Sequence, residues 1–287
     1  HSSCWSLLRA GLWAVTPAIA RRRSASPRQM SRPLTLYISP CPNDTFMFDA
    51  IVNRRIDLEG MSFNVEYHDI EELNSRAMAQ RADITKCSAA VLPLIAEHYE
   101  LLESGSALGR GNGPLLVRRK GDKGPIRRIA VPGKHTTANL LVERLFPEIE
   151  CRTPLLFSEI AEAVERGEYD AGVLIHEGRF VYERRGLELV SDLGLEWERR
   201  LSLPLPLGSI VAAKSLGGDT IARFDRVLNR SIRYAFDNPA VSRDYVKSHA
   251  RELEDEVIDK HIALFVNEYS LCLGVEGREA VAALCRR

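Results

Sequence analysis

A chain of 287 residues, 45% hydrophobic and 27% charged, can bury a substantial core as one large domain or two modest ones. No stretch nears the ~20 uninterrupted apolar residues that cross a bilayer, which excludes a helical membrane protein. Charges balance at 39 basic against 39 acidic residues, and the pairs Arg127-Arg128, Arg184-Arg185 and Arg199-Arg200 lie among acids, so neither nucleic acid nor a membrane is the expected partner.

Residues 1–29 contain no acid and carry Arg9, Arg21, Arg22, Arg23 and Arg28. Leu12 to Ala20 is mildly apolar, and Ala18-Ile19-Ala20 has the form of a cleavage site. A secretory signal, however, places its main positive charge before the apolar part, whereas here the arginines follow it. Residues 1–33 are therefore read as an extension, disordered or non-native, with Met30 the natural start. Without those five arginines, 34 basic residues face 39 acids and the body is mildly acidic.

From Leu34 short apolar runs alternate with segments of helical period, the pattern of an α/β fold with largely parallel strands. Leu34 to Ser39 reads as a strand. Asn43 to Arg54 reads as a helix with Phe46, Met47, Ala50 and Ile51 on one face, its start capped by Asn43 or Asp44. Ser62 to His68 is a strand, and Asp69-Ile70-Glu71-Glu72 opens the next helix with a signal like a capping box. Ala82 to Ser88 is a third strand leading into a helix from Ala89. Further on come a strand at Arg128 to Val131, a turn at Gly133 and a helix from Thr137 to Leu145. Cys151 to Phe157 and Asp170 to Ile175 read as strands flanking a helix at Ser158 to Arg166. After Val211 the periodicity is helical, at Thr220 to Asp237, Pro239 to His249 and Asp255 to Phe265.

Gly109 to Pro114 and Leu203 to Gly208 combine glycine and proline with apolar flanks, as crossings between lobes do. They divide the chain into a larger lobe of residues 34–108 and 209–287 and a smaller lobe of residues 109–208. A ligand would then sit in the cleft between the lobes. A single domain with two Gly/Pro loops is the plainer alternative.

Six cysteines show no Cys-x-x-Cys pair and no histidines at metal-site spacing, so free thiols in a reducing cytoplasm are expected, and no metal. In α/β sheets ligands bind beyond the carboxyl ends of strands, so polar groups there become candidates. Four segments qualify. Ser39-Pro40-Cys41-Pro42-Asn43-Asp44-Thr45 gathers hydroxyl and amide groups at a helix start, or is only a well-capped helix. Lys86-Cys87-Ser88 offers a cation for a carboxylate beside a hydroxyl, or a surface lysine beside a cap. Gly133 to Asn139 places Thr136 and Thr137 at a helix start, without the spacing of a phosphate-binding loop. Asp170 to Glu177 ends an apolar strand on His176, whose ordinary pKa near 6.5 suits a general base. His68 and His135 are its competitors, and a structural histidine is the bland reading. No Gly-x-Ser-x-Gly elbow and no dinucleotide fingerprint is present.

Taken together, Ser39 to Phe48, Lys86-Cys87-Ser88, Gly109 to Leu116, Gly133 to Asn139, Ile175 to Arg179 and Leu203 to Gly208 resemble, in order, the 1,4-dihydroxy-6-naphthoate synthase family of the futalosine route to menaquinone. The resemblance spans residue 34 to the C-terminus and leaves residues 1–29 outside. It implies a two-lobed, periplasmic-binding-protein-like (type II) α/β fold with a ligand cleft between lobes, used as a carbon–carbon lyase. The implied reaction splits cyclic dehypoxanthine futalosine into 1,4-dihydroxy-6-naphthoate and a ribose-derived fragment, with no metal or redox cofactor. It further implies that His176 accepts a proton and that Lys86 to Ser88 and Thr136-Thr137 contact substrate. With the first motif, the expected substrate-binding set is Ser39, Asn43, Thr45, Lys86, Cys87, Ser88, Thr136 and Thr137. The expected partner is a small-molecule substrate, and a homodimer stays open. The rival readings are a non-catalytic solute-binding protein for a small carboxylate and a chorismate dehydratase of the same pathway.

Overall fold

The computed structural model describes residues 32–286, so the expectation for the N-terminal extension falls, up to residue 31, outside the described residues. Eleven strands are described: β1 (Leu34–Ile38), β2 (Phe63–Tyr67), β3 (Ile84–Ser88), β4 (Tyr99–Leu101), β5 (Ala107–Gly109), β6 (Leu115–Arg119), β7 (Arg128–Val131), β8 (Cys151–Pro154), β9 (Ala171–Leu174), β10 (Leu187–Asp192) and β11 (Leu205–Ala213). They form two sheets. The first has the order β2-β1-β3-β11-β4, with β5 also paired to β11; the second has the order β10-β6-β9-β7-β8.

Parallel pairing is confined to β2-β1-β3 and to β8-β7-β9, while β11 and β6 run antiparallel to their neighbours. Both sheets are thus mixed rather than largely parallel. The reason is the path of the chain. It passes between the sheets after β5 and again along β11, and each passage delivers a strand from the far side, which enters its sheet reversed. The two passages lie side by side, with Leu205 opposite Gly109 and Gly208 opposite Ala107.

Leu203 to Gly208 is therefore mostly strand, not loop. The register slips between Pro206 and Gly208, the kind of irregularity at which a proline, lacking an N–H, is tolerated in a sheet. Short β4 and β5, the six-residue β10 and the helix Leu193–Leu201 are also part of the fold.

Helices cover both faces of each sheet, and the apolar stripes read from the sequence face inward. Phe46, Met47 and Ile51 of helix Pro42–Val52 pack with Phe224, Leu228 and Ile232 of helix Gly218–Asp237 against β1, β3 and β11. A separate core joins Ile129, Val131 and Leu141 of the second sheet's lobe to Leu205 and Val211 of β11. Gly172 in β9 lets helix Ile160–Glu165 lie close on the strand, since a Cβ there would come 2.5 Å from Ile160 Cγ2.

Local capping differs in one place. Helix Pro42–Val52 has Cys41 at its cap with no side-chain bond, because Asn43 and Asp44 turn inward to other partners. Asp69 caps helix Ile70–Met78 through Glu71 N, and Thr136 caps helix Thr137–Leu145 through Asn139 N at 3.2 Å.

Candidate active site

The carboxyl ends of β3 and β9 face each other across a cavity between the two sheets. Lys86 and Ser88 reach it from β3, Asn43 from the first helix, Thr136 and Thr137 from the start of helix Thr137–Leu145, and His176 from the end of β9. Six of the nine expected site residues thus share one wall-to-wall space. Ile70, Pro114, Leu207 and Phe265 supply apolar lining.

Ser39, Thr45 and Cys87 do not line it. Ser39 Oγ donates to Asp44 Oδ2 at 2.7 Å, and Thr45 Oγ1 folds back onto the Cys41 carbonyl at 3.2 Å. Cys87 points to the opposite face of β3, as alternation along a strand requires, into core where burial pushes its thiol up to about 12.

Behind the Lys86 wall lies a buried polar chain. Lys86 Nζ meets Asp44 Oδ1 at 2.6 Å, and Asp44 also accepts from Ser39 N and from Asn43 Nδ2. Asn43 Oδ1 in turn accepts from His261 Nε2 at 3.0 Å. That bond places the His261 proton on Nε2 and leaves Nδ1 a bare acceptor without a partner. Lys86 can lie along this wall because position 208 is glycine: a Cβ there would stand 3.2 Å from Lys86 Cε. Ser88 is oriented by Asn74, which donates to its Oγ at 2.9 Å and accepts from its N–H at 2.8 Å. The Ser88 hydroxyl proton stays available for the cavity.

The hydroxyls of Thr136 and Thr137 are both engaged. Thr136 Oγ1 donates to the Gly133 carbonyl at 2.8 Å while it caps its helix, and Thr137 Oγ1 donates to the Leu207 carbonyl at 3.3 Å. What this loop turns to the cavity is chiefly the start of a helix, whose first N–H groups favour negative charge.

His176 sits in the left-handed region at φ 54°, where a non-glycine residue is held only by its surroundings. Its ring meets Phe157 edge-on at 4.9 Å and stacks on His261 at 5.8 Å, so two imidazoles from different lobes face each other. Burial, and then the positive charge of Lys86, push His176 down to about 3, far below the ordinary value expected from the sequence. The same causes, with His176 itself, lower His261. Both rings are therefore neutral at physiological pH.

The competing histidines do not line the cavity: His135 Nδ1 lies 3.1 Å from Glu71 Oε1, and His68 Nε2 lies 3.4 Å from Glu66 Oε1 without a hydrogen bond. Asn112 and Arg179 fall inside the segments Gly109 to Leu116 and Ile175 to Arg179 without being named there as site residues, and Asn74 and His261 lie outside every candidate segment. Of these last two only His261 has a visible signal: it replaces an apolar residue on the stripe Val257, Ile258, Phe265 of helix Asp255–Phe265.

Comparison with known proteins follows the same outline. A family model described as menaquinone biosynthesis matches residues 34–287. A 1,4-dihydroxy-6-naphthoate synthase of Thermus thermophilus is 44% identical over 256 residues, covering 88% of this chain and 92% of that protein. One of Streptomyces coelicolor is 40% identical over 262 residues, with the same coverage of both. A protein of Archaeoglobus fulgidus solved by crystallography superposes with a TM-score of 0.82 at 32% identity, over 88% of this chain and 96% of its own. The periplasmic aliphatic sulphonate binding protein of Escherichia coli superposes at 0.59 with 12% identity, over 89% and 87%, a likeness of fold alone. The fold is thus periplasmic-binding-protein-like.

Proposed function

The chain belongs to the menaquinone biosynthesis family, and from that premise we propose that it forms 1,4-dihydroxy-6-naphthoate as a carbon–carbon lyase with His176 as general base. Its substrate is cyclic dehypoxanthine futalosine. His176 takes a proton from a substrate hydroxyl, the carbon–carbon bond to the ribose-derived fragment breaks, and aromatisation of the released ring supplies much of the driving force. Negative charge that develops meets the Lys86 ammonium, the Ser88 hydroxyl and the N–H groups at the start of helix Thr137–Leu145.

One observation carries this reading: an imidazole kept neutral, at the end of a buried strand, opens onto a cavity whose other polar groups come from both lobes. A base so depressed is a weak one before substrate binds. An anionic substrate raises it again by the same electrostatics, so that base strength arrives with the molecule to be deprotonated. Among the described residues no helix is long and apolar enough to cross a membrane, and on this reading the enzyme works in the cytoplasm, on a small molecule and without a redox cofactor.

The test is incubation of purified protein with cyclic dehypoxanthine futalosine and detection of the naphthoate by mass spectrometry, with chorismate as the control substrate. His176→Ala should lose turnover while ligand still raises the melting temperature. Near-normal turnover by that variant overturns the role of His176.

A further inference from the structure

The cavity wall holds a half-buried guanidinium that no acid neutralises. Arg179 Nη1 donates to the Gly113 carbonyl at 2.6 Å, and among the described residues no carboxylate forms an ion pair with it. Asp192 attracts it only through space, because its own carboxylate accepts from Leu195 N to cap helix Leu193–Leu201. Lys86, expected from the sequence to take a carboxylate, is already matched by Asp44. Desolvation lowers the Arg179 guanidinium from its ordinary value, yet arginine keeps its proton. An unmatched positive charge therefore lines a space that excludes much of its water, an arrangement costly for folding unless an anion arrives.

Asn112 points the same way independently. It is 2% exposed and lines the same cavity, and neither its Oδ1 nor its Nδ2 has a hydrogen-bond partner. Room for this amide is made by Gly109, where a Cβ would come within 2.5 Å of Asn112 Nδ2. Gly113 ties the two groups together: it follows Asn112 in the chain and holds Arg179 through its carbonyl.

We propose that Arg179 and Asn112 form the carboxylate-binding end of the cavity, the fork of the guanidinium taking both oxygens of an aromatic carboxylate and the amide adding a third donor. This deepens the reading above and rests on it, since the naphthoate named there carries one carboxylate. Ile70, Pro114, Ala138, Ile175, Leu207 and Phe265 line the space for the rings, which lets the carboxylate set which carbon faces His176. A planar fork suits this task better than a lysine, whose point charge would leave the ring free to swing.

The experiment compares binding of 2-naphthoate and its neutral amide, 2-naphthamide, by calorimetry. Wild type should hold the carboxylate at least tenfold tighter than the amide. Arg179→Gln should bring that ratio to within about twofold of unity. Asn112→Asp, which sets a negative charge beside the site without changing its shape, should weaken the carboxylate and spare the amide. Thermal melting checks that each variant folds, and the two substitutions test the site separately should one of them fail. Absence of a carboxylate preference in wild type, or its persistence in both variants, overturns the proposal. Turnover of cyclic dehypoxanthine futalosine by wild type is scored apart: a carboxylate preference that Arg179→Gln erases, in a protein that forms no naphthoate, upholds the subsite and sinks the reaction.

Discussion

Asp44→Asn changes one charge and almost no volume at the most enclosed ion pair among the described residues. Asp44 is fully buried, and its carboxylate accepts from Lys86 Nζ at 2.6 Å, Ser39 Oγ at 2.7 Å, Ser39 N at 3.0 Å and Asn43 Nδ2 at 3.3 Å. Coulomb attraction across 2.6 Å is about 6 kcal/mol at an effective dielectric constant of 20, an upper bound from which the desolvation of both ions subtracts. The asparagine variant keeps that cost for Lys86 without the attraction, and its amide nitrogen turns two hydrogens toward groups that are themselves donors. Leaving one buried charge uncompensated costs about 3–5 kcal/mol. For a chain of this size each kcal/mol moves the midpoint by about 2–4 °C, so the melting temperature should fall by roughly 6–20 °C. Urea denaturation and thermal melting measure this directly. Lys86→Met in the Asp44→Asn background removes the stranded ammonium and keeps the stem, so the double variant should be more stable than the sum of the single losses by about 2 kcal/mol or more. An Asp44→Asn protein within about 1 kcal/mol of wild type would show that this ion pair does not hold the fold as described.

Acid should unfold the protein early. The folded state holds His176 near 3 while the unfolded chain titrates near its ordinary 6.5, so the unfolded state takes up the proton first; stability is complete above about 6.5 and falls by up to roughly tenfold in the folding constant per unit between 6.5 and 3. His261 adds to the same slope. Equilibrium unfolding at pH 7, 6 and 5 should show a shallower slope in His176→Asn, and an unchanged slope would refute the assignment. Gly113→Ala would put a Cβ 2.4 Å from Gly194 Cα and 2.6 Å from its nitrogen, a backbone clash that cannot be relieved by a side-chain rotation. It should destabilise by about 1–3 kcal/mol and displace the strand start beside Arg179, read by melting and by loss of naphthoate binding. Cys41 and Cys87, each pushed up to about 12 by burial, should resist iodoacetamide at pH 8 in the native protein, whereas exposed Cys151 is alkylated first. Rapid native labelling of Cys87, found by peptide mapping, would contradict its placement in the core.

Much of the secondary structure can be read along the chain because neighbouring residues set it. Helices Thr137–Leu145 and Asp255–Phe265 begin and end where their amphipathic period does, and β7 spans the apolar run that predicts it. The short strands β4 and β5 carry too few residues for alternation to show, and β11 is hidden by its own proline and glycine, which mark a register slip rather than a loop. Strand direction is not written locally at all: β6 and β11 run antiparallel because of the side from which the chain enters each sheet.

The same division runs through the site. Lys86, Ser88 and His176 were legible as polar residues closing apolar strands, since strand ends are where α/β sheets open to ligands. Their partners were not. Asp44 reads as a helix cap and proves to be the counter-ion of Lys86, His261 lies far along the chain and meets His176 ring to ring, and Arg179 is left without an acid by residues that pair elsewhere. Which elements form and which chemical groups stand at their ends is written along the chain, because backbone period and capping depend on residues a few positions apart. The charge state of His176, the pairing of Lys86 and the burial of Cys87 follow from packing alone. Desolvation and Coulomb energy depend on which distant segments are packed within a few ångströms, and that is a property of the closed fold.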